Sequence, residues 1–273
     1  MTVLASLASL DAPTFATPTQ GGAPGPIRYQ LLLLFAVTLV ASAPAIGNGQ
    51  CQVAELTAPD LSYFGNEMFG YSLGFDGERI IVGALGADGA SFHTGAAYIF
   101  VQDQGVWVLE QKVFPSSTGF VGLAGIDVDI DGDVAIVSDL STASVTVFRR
   151  VAGVWTEEAT IVSPPDFSQY GRFIALDGDR VVVCDYFANG GLGRLFIYRY
   201  DGTDWALEYE PALPALPGAQ FGHAFAVDGD RVVVAAPQTD PAGAVFIYDY
   251  DPTSGWQETI LEGEVGEQSF GQS

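Results

Sequence analysis

Four aspartates at alternate positions near the middle of the 273-residue chain are the residues best suited to do chemistry. They are Asp127, Asp129, Asp131 and Asp133. Carboxylates spaced this closely are typical of loops that wrap a hard cation such as calcium through oxygen ligands. An EF-hand loop would place Glu at its twelfth position, where this chain has Ser138. The string is therefore a candidate calcium site that departs from the EF-hand, and no other cofactor is indicated.

Common catalytic motifs are absent from the sequence. It contains no G-x-S-x-G serine elbow, no phosphate-binding Gly-Lys loop and no Cys–His pair. The two histidines, His93 and His223, lack Cys, His or Asp partners at metal-ligand spacing. The residue types thus do not indicate an enzyme.

The aspartate string lies in the second of four copies of one repeated pattern. In the clearest copy, residues 221–237, an aromatic-glycine pair is followed seven residues later by Asp-Gly, and then by a β-branched run that ends on a small residue. The Asp-Gly pairs begin at Asp76, Asp131, Asp177 and Asp228. One Trp closes each copy, and a fifth copy opens at Phe270-Gly271. Units 46 to 55 residues apart are typical of a serial array of like modules.

Each copy predicts four short antiparallel strands. The Asp-Gly pair is expected at the centre of a two-residue hairpin that joins the first two strands. The second and third strands, such as residues 232–236 and 195–198, are continuously apolar and must be covered on both faces. Neighbouring blades of a propeller supply such cover. The predicted fold class is therefore all-β: a β-propeller of four-stranded antiparallel blades, with four intact repeats and the start of a fifth, as a closed or a partial ring.

At these residues the chain resembles the FG-GAP repeat family, which forms the propeller of integrin alpha chains and occurs in many secreted bacterial proteins. Its name-giving motifs are matched by Phe221-Gly222 with Ala235-Ala236-Pro237, and by Phe69-Gly70 with Gly83-Ala84-Leu85. The resemblance covers about residues 64–273 and implies extracellular binding, adhesion or scaffold roles. It also implies calcium in the loop between the first two strands, although the carboxylate expected at the ninth loop position is Ala135 here.

Alignment of the copies offers a second interpretation of the four aspartates. The other copies have Ser72, Phe173 and Ala224 aligned with Asp127, within the first predicted strand. On a strand, Asp127 and Asp129 would lie two apart on one face, where they cannot wrap an ion. Because unpaired carboxylates are costly to bury, these side chains are then expected to face water or a cation.

Three segments are expected along the chain. Residues 1–27 form a disordered or mis-assigned N-terminal extension. Residues 28–45 have the positive charge, short apolar run and small-residue ending of a secretory signal peptide. Residues 46–273 form the propeller, with blades at about 64–115, 120–163, 166–212 and 217–263. This organisation predicts a secreted, periplasmic or cell-surface protein, with no membrane association after the signal is removed.

Two features point to different states of the ring. Residues 52–60 are predicted as an outer strand that completes the last blade and locks the ring. Phe270-Gly271, in contrast, opens a further blade, as in a fragment of a larger propeller. Unfinished blade edges of that kind are expected to self-associate.

Charge and cysteine usage limit the partners and the cross-links. A net charge of −23 repels phosphate backbones and anionic lipids, so neither nucleic acid nor a membrane surface is expected as a partner. The arginines that follow the turns are expected at exposed hairpin tips; they are Arg79, Arg180 and Arg231. Cys184 occupies the small-residue position of its repeat and is expected to be packed and unpaired rather than bonded to Cys51.

The sequence leaves three functions open and favours the first. It is an exported, non-enzymatic propeller that binds an extracellular protein or carbohydrate, or acts as a scaffold. The second is a propeller hydrolase or lyase whose carboxylates converge at the mouth of the channel, with Asp127, Asp129, Asp139 and Asp185 as candidates. The third is a truncated fragment without independent function. The acids are unevenly distributed among the copies, which favours binding.

Overall fold

The computed structural model describes residues 54–60, 67–117, 119, 122–165, 169–212, 220–239, 242–264 and 270. The chain divides into two compact units, Thr2–Pro59 and Asp60–Ser273. The predicted extension and signal peptide, and also Cys51, lie outside the described residues. Of the helices in the described part of the chain, none is long and apolar enough to cross a membrane.

The unit Asp60–Ser273 folds into four antiparallel sheets of four strands each, here called blades 1 to 4. Blade 1 contains β1 (Phe69–Phe75), β2 (Arg79–Ala84), β3 (Ala96–Asp103) and β4 (Val106–Val113). Blade 2 contains β5 (Ala124–Asp131), β6 (Val134–Asp139), β7 (Ser144–Val151) and β8 (Val154–Val162). Blade 3 contains β9 (Phe173–Asp177), β10 (Arg180–Asp185), β11 (Arg194–Tyr200) and β12 (Trp205–Tyr209), with one helical turn at Ala188–Gly191. Blade 4 contains β13 (Phe225–Asp228), β14 (Arg231–Ala236), β15 (Ala244–Asp251) and β16 (Gly255–Glu262).

The strands of each blade pair in the order of the sequence, so every blade is a meander. The predicted all-β fold, built from four-stranded antiparallel propeller blades, is confirmed.

The hairpin between the first two strands turns one residue later than predicted. Asp131 pairs with Val134, which makes Gly132 the first of the two central residues. Gly132 has a φ of 57°, and its counterparts Gly178 and Gly229 have 58° and 55°. A positive φ at the first central position is typical of a type II′ turn, which favours glycine there. The aspartate therefore precedes the turn, and its carboxylate remains free to contact the neighbouring blade.

The second strands of blades 1 to 3 are buried along their whole length, as their continuous apolar sequence predicts. Side chains of consecutive blades provide the cover. Ile81 and Ile99 of blade 1 belong to one buried cluster with Val128 and Val137 of blade 2. Two further clusters join blade 2 to blade 3 and blade 3 to blade 4. The core thus lies between the blades, and burial of apolar surface there drives their stacking.

A small residue near the end of the second strand lets the next blade approach closely. A Cβ atom on Gly83 would overlap the carbonyl oxygen of Gly125 in blade 2. A Cβ atom on Gly222 of blade 4 would overlap the Sγ atom of Cys184 in blade 3. Cys184 is fully buried and its thiol is free, in agreement with its predicted packing role.

Phe270 takes the place on blade 4 that the first residue of a copy takes on the blade before it. Its N–H donates to the carbonyl of Ala242 at 2.8 Å, as the N–H of Phe221 donates to the carbonyl of Leu192 at 3.1 Å. The fifth copy therefore opens in register with the others at the one residue of it that the structure describes.

The outer strand predicted at residues 52–60 is not formed over the described part, residues 54–60, which contains no strand. Asp60 instead accepts hydrogen bonds from the hydroxyl of Tyr98, at 2.6 Å, and from the ammonium group of Lys112. Between the described residues of blade 1 and blade 4, no hydrogen bond or ion pair is found.

Candidate functional site

The structure separates the four predicted calcium ligands into two groups. Asp127, Asp129 and Asp131 lie at alternate positions of β5. Asp133 lies in the turn that follows, where its side chain is 63% exposed and 3.6 Å from the guanidinium of Arg150. The strand interpretation of the string, rather than a loop that wraps an ion, describes this segment.

Asp127 and Asp129 bind the edge of the next blade. The Oδ2 atom of Asp127 accepts the backbone N–H of Ile174 at 2.8 Å, and that of Asp129 accepts the N–H of Leu176 at 2.9 Å. The other oxygen of each carboxylate accepts the N–H of the residue that follows it in β5. Since β9 is an edge strand that pairs only with β10, the two carboxylates satisfy N–H groups that its own sheet leaves unpaired. Both residues are half-buried and their oxygens accept N–H groups of the protein, whereas the sequence predicted that the carboxylates would face water or a cation.

Asp131 belongs to a series of contacts that recurs at every joint between blades. In each contact, the aspartate before one hairpin turn accepts the N–H of the glycine in the next hairpin turn. The pairs are Asp76 with Gly132 at 3.1 Å, Asp131 with Gly178 at 2.7 Å, and Asp177 with Gly229. The repeated Asp-Gly dipeptide therefore supplies one acceptor to the following blade and one donor to the preceding blade.

The pKa values of Asp127 and Asp129 are shifted by their position between blades 2 and 3. Burial raises the pKa of Asp127 to about 7, although the N–H groups of Ile174 and Val128 act in the opposite direction. Burial likewise raises the pKa of Asp129, again opposed by the N–H groups that it accepts. The joint between blades 2 and 3 thus carries two carboxylates whose pKa values lie above the usual value for aspartate.

Of the carboxylates proposed for catalysis, Asp139 and Asp185 each bind groups of loops that flank the strands of their blade. Asp139 accepts the N–H and the hydroxyl of Ser141, at 2.8 and 2.5 Å. Asp185 accepts the N–H groups of Gln169 and Phe187, at 3.3 and 3.1 Å. In the part of the chain that is described, no three His, Cys, Asp or Glu side chains are grouped as a metal ion would require. The calcium site at Asp127, Asp129, Asp131 and Asp133 stays a prediction.

A second set of contacts between blades is built on a glutamate in the fourth strand. In blades 1 to 3 the strand pairing skips one residue of the fourth strand, and that residue is Glu110, Glu158 or Glu208. Such a β-bulge re-aims a side chain. The indole N–H of Trp155 donates to Glu110 at 2.9 Å. The corresponding indole of Trp205 donates to Glu158 at 3.3 Å.

Arginines complete these glutamate clusters. Glu110 accepts Arg79 at 3.0 Å and Arg150 at 2.8 Å, and Glu208 accepts Arg180 at 3.2 Å. The expectation that the arginines after the turns lie at exposed tips is wrong for Arg79 and Arg180, which are 9% and 4% exposed. Their guanidinium groups reach the next blade, where Arg79 donates to the carbonyl of Gly132 at 3.5 Å and Arg180 donates to that of Gly229 at 2.9 Å. Only Arg231, whose side chain is 61% exposed, lies as expected.

A cluster missed by the sequence analysis lies where blade 3 meets blade 4. It comprises Gln169, Arg172, Phe173, Tyr186, Phe187 and His223, here called the aromatic–arginine cluster. The ring of Tyr186 lies 5.6 Å from that of Phe173, 4.0 Å from that of Phe187 and 6.0 Å from that of His223. Arg172 lies over the ring of Phe173, at 6.0 Å from its centroid.

The repeat itself contained a signal for this cluster. Arg172 and His223 both follow the aromatic-glycine pair, a position that Tyr71 and Ile126 hold in blades 1 and 2. Two polar residues at one repeat position in consecutive blades bring their side chains to neighbouring places in the array. Aligning that position would have indicated a local surface peculiar to blades 3 and 4.

Comparisons with known proteins bear on the fold more than on the site. Residues 51–100 match the model of the FG-GAP repeat, which confirms the family resemblance stated from the sequence over that repeat. No curated protein sequence matches this chain.

Solved structures with a similar chain path include the crystal structure of a nidogen/laminin complex. There the identity is 11%, the TM-score is 0.44, and the match covers 74% of this chain and 68% of the other. A second is a candidate 6-phosphogluconolactonase from Bacteroides fragilis, with 16% identity and a TM-score of 0.48. That match covers 72% of this chain and 55% of the other.

Proposed function

We propose that this chain is an exported, non-enzymatic propeller module that binds an extracellular ligand or serves as a scaffold. The observation that carries the proposal is the use of the acidic residues. Three carboxylates of β5 accept hydrogen bonds from N–H groups of the next blade; they belong to Asp127, Asp129 and Asp131. The carboxylate of Glu110 accepts hydrogen bonds from two arginines and an indole. Carboxylates held in this way are not available as a general acid–base pair.

Export rests on residues 28–45, which have the pattern of a secretory signal peptide. The FG-GAP repeat at residues 51–100 supports the same location, because the family resemblance implies extracellular roles. Expression of the full chain with a C-terminal tag, followed by fractionation of cells and medium, tests this part. Tagged protein that lacks its leader is expected outside the cytoplasm, and full-length protein retained inside would contradict export.

Binding without turnover is tested with two panels and the same purified protein. We expect saturable, reversible retention on at least one ligand of a glycan and peptide array. We also expect no hydrolysis of a panel of chromogenic glycosides and esters above the level of a heat-inactivated sample. Turnover that disappears in Asp139→Asn or Asp185→Asn would overturn the proposal in favour of the hydrolase, since both carboxylates are candidates for its chemistry.

Self-association is a second candidate role, favoured by the exposed face of β1. Leu73 and Phe75 are 46% and 45% exposed, whereas Val128, which has the place of Leu73 in blade 2, is 2% exposed because blade 1 covers it. A second copy could supply that cover through its blade 4, where Asp228 accepts no hydrogen bond from the described residues. Asp228 of one copy would then accept Gly77 N–H of the next, as Asp76 accepts Gly132.

Sedimentation velocity over a range of protein concentrations tests this association. We expect oligomers that dissociate on dilution and that are lost in the double variant Leu73→Lys with Phe75→Lys. The matched control is Phe92→Lys, which alters a side chain that is 69% exposed in a loop and should leave assembly unchanged. A monomer at every concentration would contradict the self-association.

A further inference from the structure

Arg172 differs from every other described cation because it has no carboxylate partner among the described residues. The remaining described arginines, together with Lys112, each lie within 4.0 Å of an Asp or Glu oxygen. The chain carries a net charge of −23, so partners for a lone arginine are abundant. An arginine that is left unpaired in such a protein is free to bind an anion from outside.

Three buried polar side-chain atoms of the aromatic–arginine cluster lack a hydrogen-bond partner. The Nε atom of Arg172 is buried and has no hydrogen-bond partner, and the same is true of Oε1 of Gln169 and Nδ1 of His223. Buried polar atoms are normally paired, and leaving them unpaired costs free energy. Three such atoms in one aromatic–arginine cluster indicate a place where a ligand supplies the missing partners.

The backbone holds these groups in a fixed arrangement. The N–H of Arg172 donates to the carbonyl of Gln169 at 3.1 Å, and the N–H of His223 donates to the carbonyl of Gln220 at 3.0 Å. These equivalent turns present the two side chains from neighbouring blades. Asp185 is fully buried, and its two oxygens accept the N–H groups of Gln169 and Phe187, so it positions both loops.

The aromatic rings define the shape of the ligand. Tyr186 lies between Phe173 and His223, and Phe187 beside it is 44% exposed. A flat aromatic face packs well against another ring or against the C–H face of a sugar. The guanidinium group of arginine is suited to bind a carboxylate through two parallel hydrogen bonds.

We propose that the aromatic–arginine cluster binds a small ligand in which one carboxylate is attached to a ring, as in a sugar acid or an aromatic acid. The carboxylate pairs with Arg172, and the ring lies against Tyr186 and Phe187. His223 and Gln169 bind the polar substituents of the ring. A polyanion is disfavoured, since the field of the whole protein repels it while a single carboxylate is attracted locally. This inference rests on the proposed binding function and names its ligand class.

Calorimetric titration with matched ligands tests the proposal. Glucuronate and glucose form one pair, and benzoate and benzyl alcohol form the other. Within each pair, a CH2OH group in the uncharged ligand replaces the carboxylate of the acid. We expect one of the two acids to bind at least roughly tenfold more tightly than its uncharged counterpart, because a hydrogen bond to a charged group is worth more than a neutral one. The acid that binds identifies the kind of ring. Equal binding within both pairs, or no binding of either acid, would overturn the proposal.

Two variants assign the effect to Arg172. In Arg172→Gln the preference for the acid is expected to disappear, whereas in Arg231→Gln, which removes an exposed ion-paired arginine, it is expected to persist. An unchanged preference in Arg172→Gln would overturn the assignment, and a matching melting temperature shows that the variant is folded. If the array finds a ligand but neither acid binds in preference to its counterpart, the binding function stands and this inference fails.

Discussion

The Oδ2 atom of Asp127 in blade 2 lies 2.8 Å from the backbone nitrogen of Ile174 in blade 3, whose N–H it accepts. The carboxylate of Asp127 thus accepts an edge-strand N–H that, in a continuous sheet, would donate to a carbonyl of the neighbouring strand. Sheets stacked in a propeller present only their faces to one another, so the N–H groups of their inner edges would otherwise depend on water. The aspartate string of this chain can be understood as a joint between two blades.

The raised pKa of Asp127 makes stability depend on pH in a particular direction. Because the folded-state pKa, about 7, lies above the unfolded value near 4, the protonated form is favoured by folding. The corresponding stability is fully present below the unfolded pKa and is lost as the pH rises through 7. We expect the melting temperature to be higher at pH 5 than at pH 8, and the difference to shrink in Asp127→Asn. An equal difference in the variant would show that another group is responsible.

The stability that Glu110 contributes is expected to rise with pH, opposite to that of Asp127, and to change in a lower pH range. Burial opposes its ionisation, but hydrogen bonds from Trp155, Arg79 and Arg150 outweigh that effect and lower the pKa of Glu110. Its contribution is present above the unfolded pKa and is lost as the pH falls through the folded pKa. We expect Glu110→Gln to reduce the free energy of unfolding at pH 7 by about 2–3 kcal/mol, since Arg79 loses its one carboxylate partner among the described residues and Arg150 keeps only Asp133, at 3.6 Å. Urea unfolding measures this, and the control Glu262→Gln, on the exposed strand β16, should change it little. Equal losses in both variants would contradict the role of Glu110.

Alanine substitution at two glycines with positive φ distinguishes the cost of backbone strain from the cost of steric overlap between blades. Gly222 has a φ of 89° and faces Cys184, whereas Gly229 has a φ of 55° and open space around its Cβ position. Alanine at Gly229 is expected to cost about 1–2 kcal/mol from the backbone alone. Alanine at Gly222 should cost about 1–3 kcal/mol more, because the methyl group overlaps the thiol of Cys184. Equal losses in chemical unfolding would show that the blades are not in such close contact.

Calcium addition distinguishes the joint from a metal site. We expect no change in melting temperature between calcium and EDTA, because Asp127, Asp129 and Asp131 already accept N–H groups. Asp133→Asn should be neutral, since Asp133 is exposed. A calcium-dependent rise in melting temperature that disappears in Asp133→Asn would favour the metal site instead.

The sequence predicted the blades well because their determinants are local and repeated. Aromatic-glycine pairs, Asp-Gly turns and continuous apolar strands recur in four copies, so each copy supports the assignment of the others. The small-residue position of Cys184 was likewise predicted, since close packing follows directly from the repeat.

The contacts between blades were harder to predict, because they depend on how one sheet is placed on the next. Nothing in the spacing of Asp127 and Asp129 shows that their oxygens reach N–H groups 47 residues away. The burial of Arg79 and Arg180 has the same origin, since it depends on a β-bulge that aims a glutamate towards them. The position of Arg172 beside Tyr186 and His223 also arises only once blades 3 and 4 are stacked.

Amide hydrogen exchange in Asp127→Ala and Asp129→Ala tests the joint most directly, with the amide of Val183 in the central strand β10 as the internal reference. We predict a crossed result under native conditions: Asp127→Ala accelerates exchange at Ile174 far more than at Leu176, and Asp129→Ala does the reverse, while Val183 stays protected in both. Unchanged protection at Ile174 and Leu176, or the same loss at both amides in either variant, would contradict the account that these aspartates join blade 2 to blade 3.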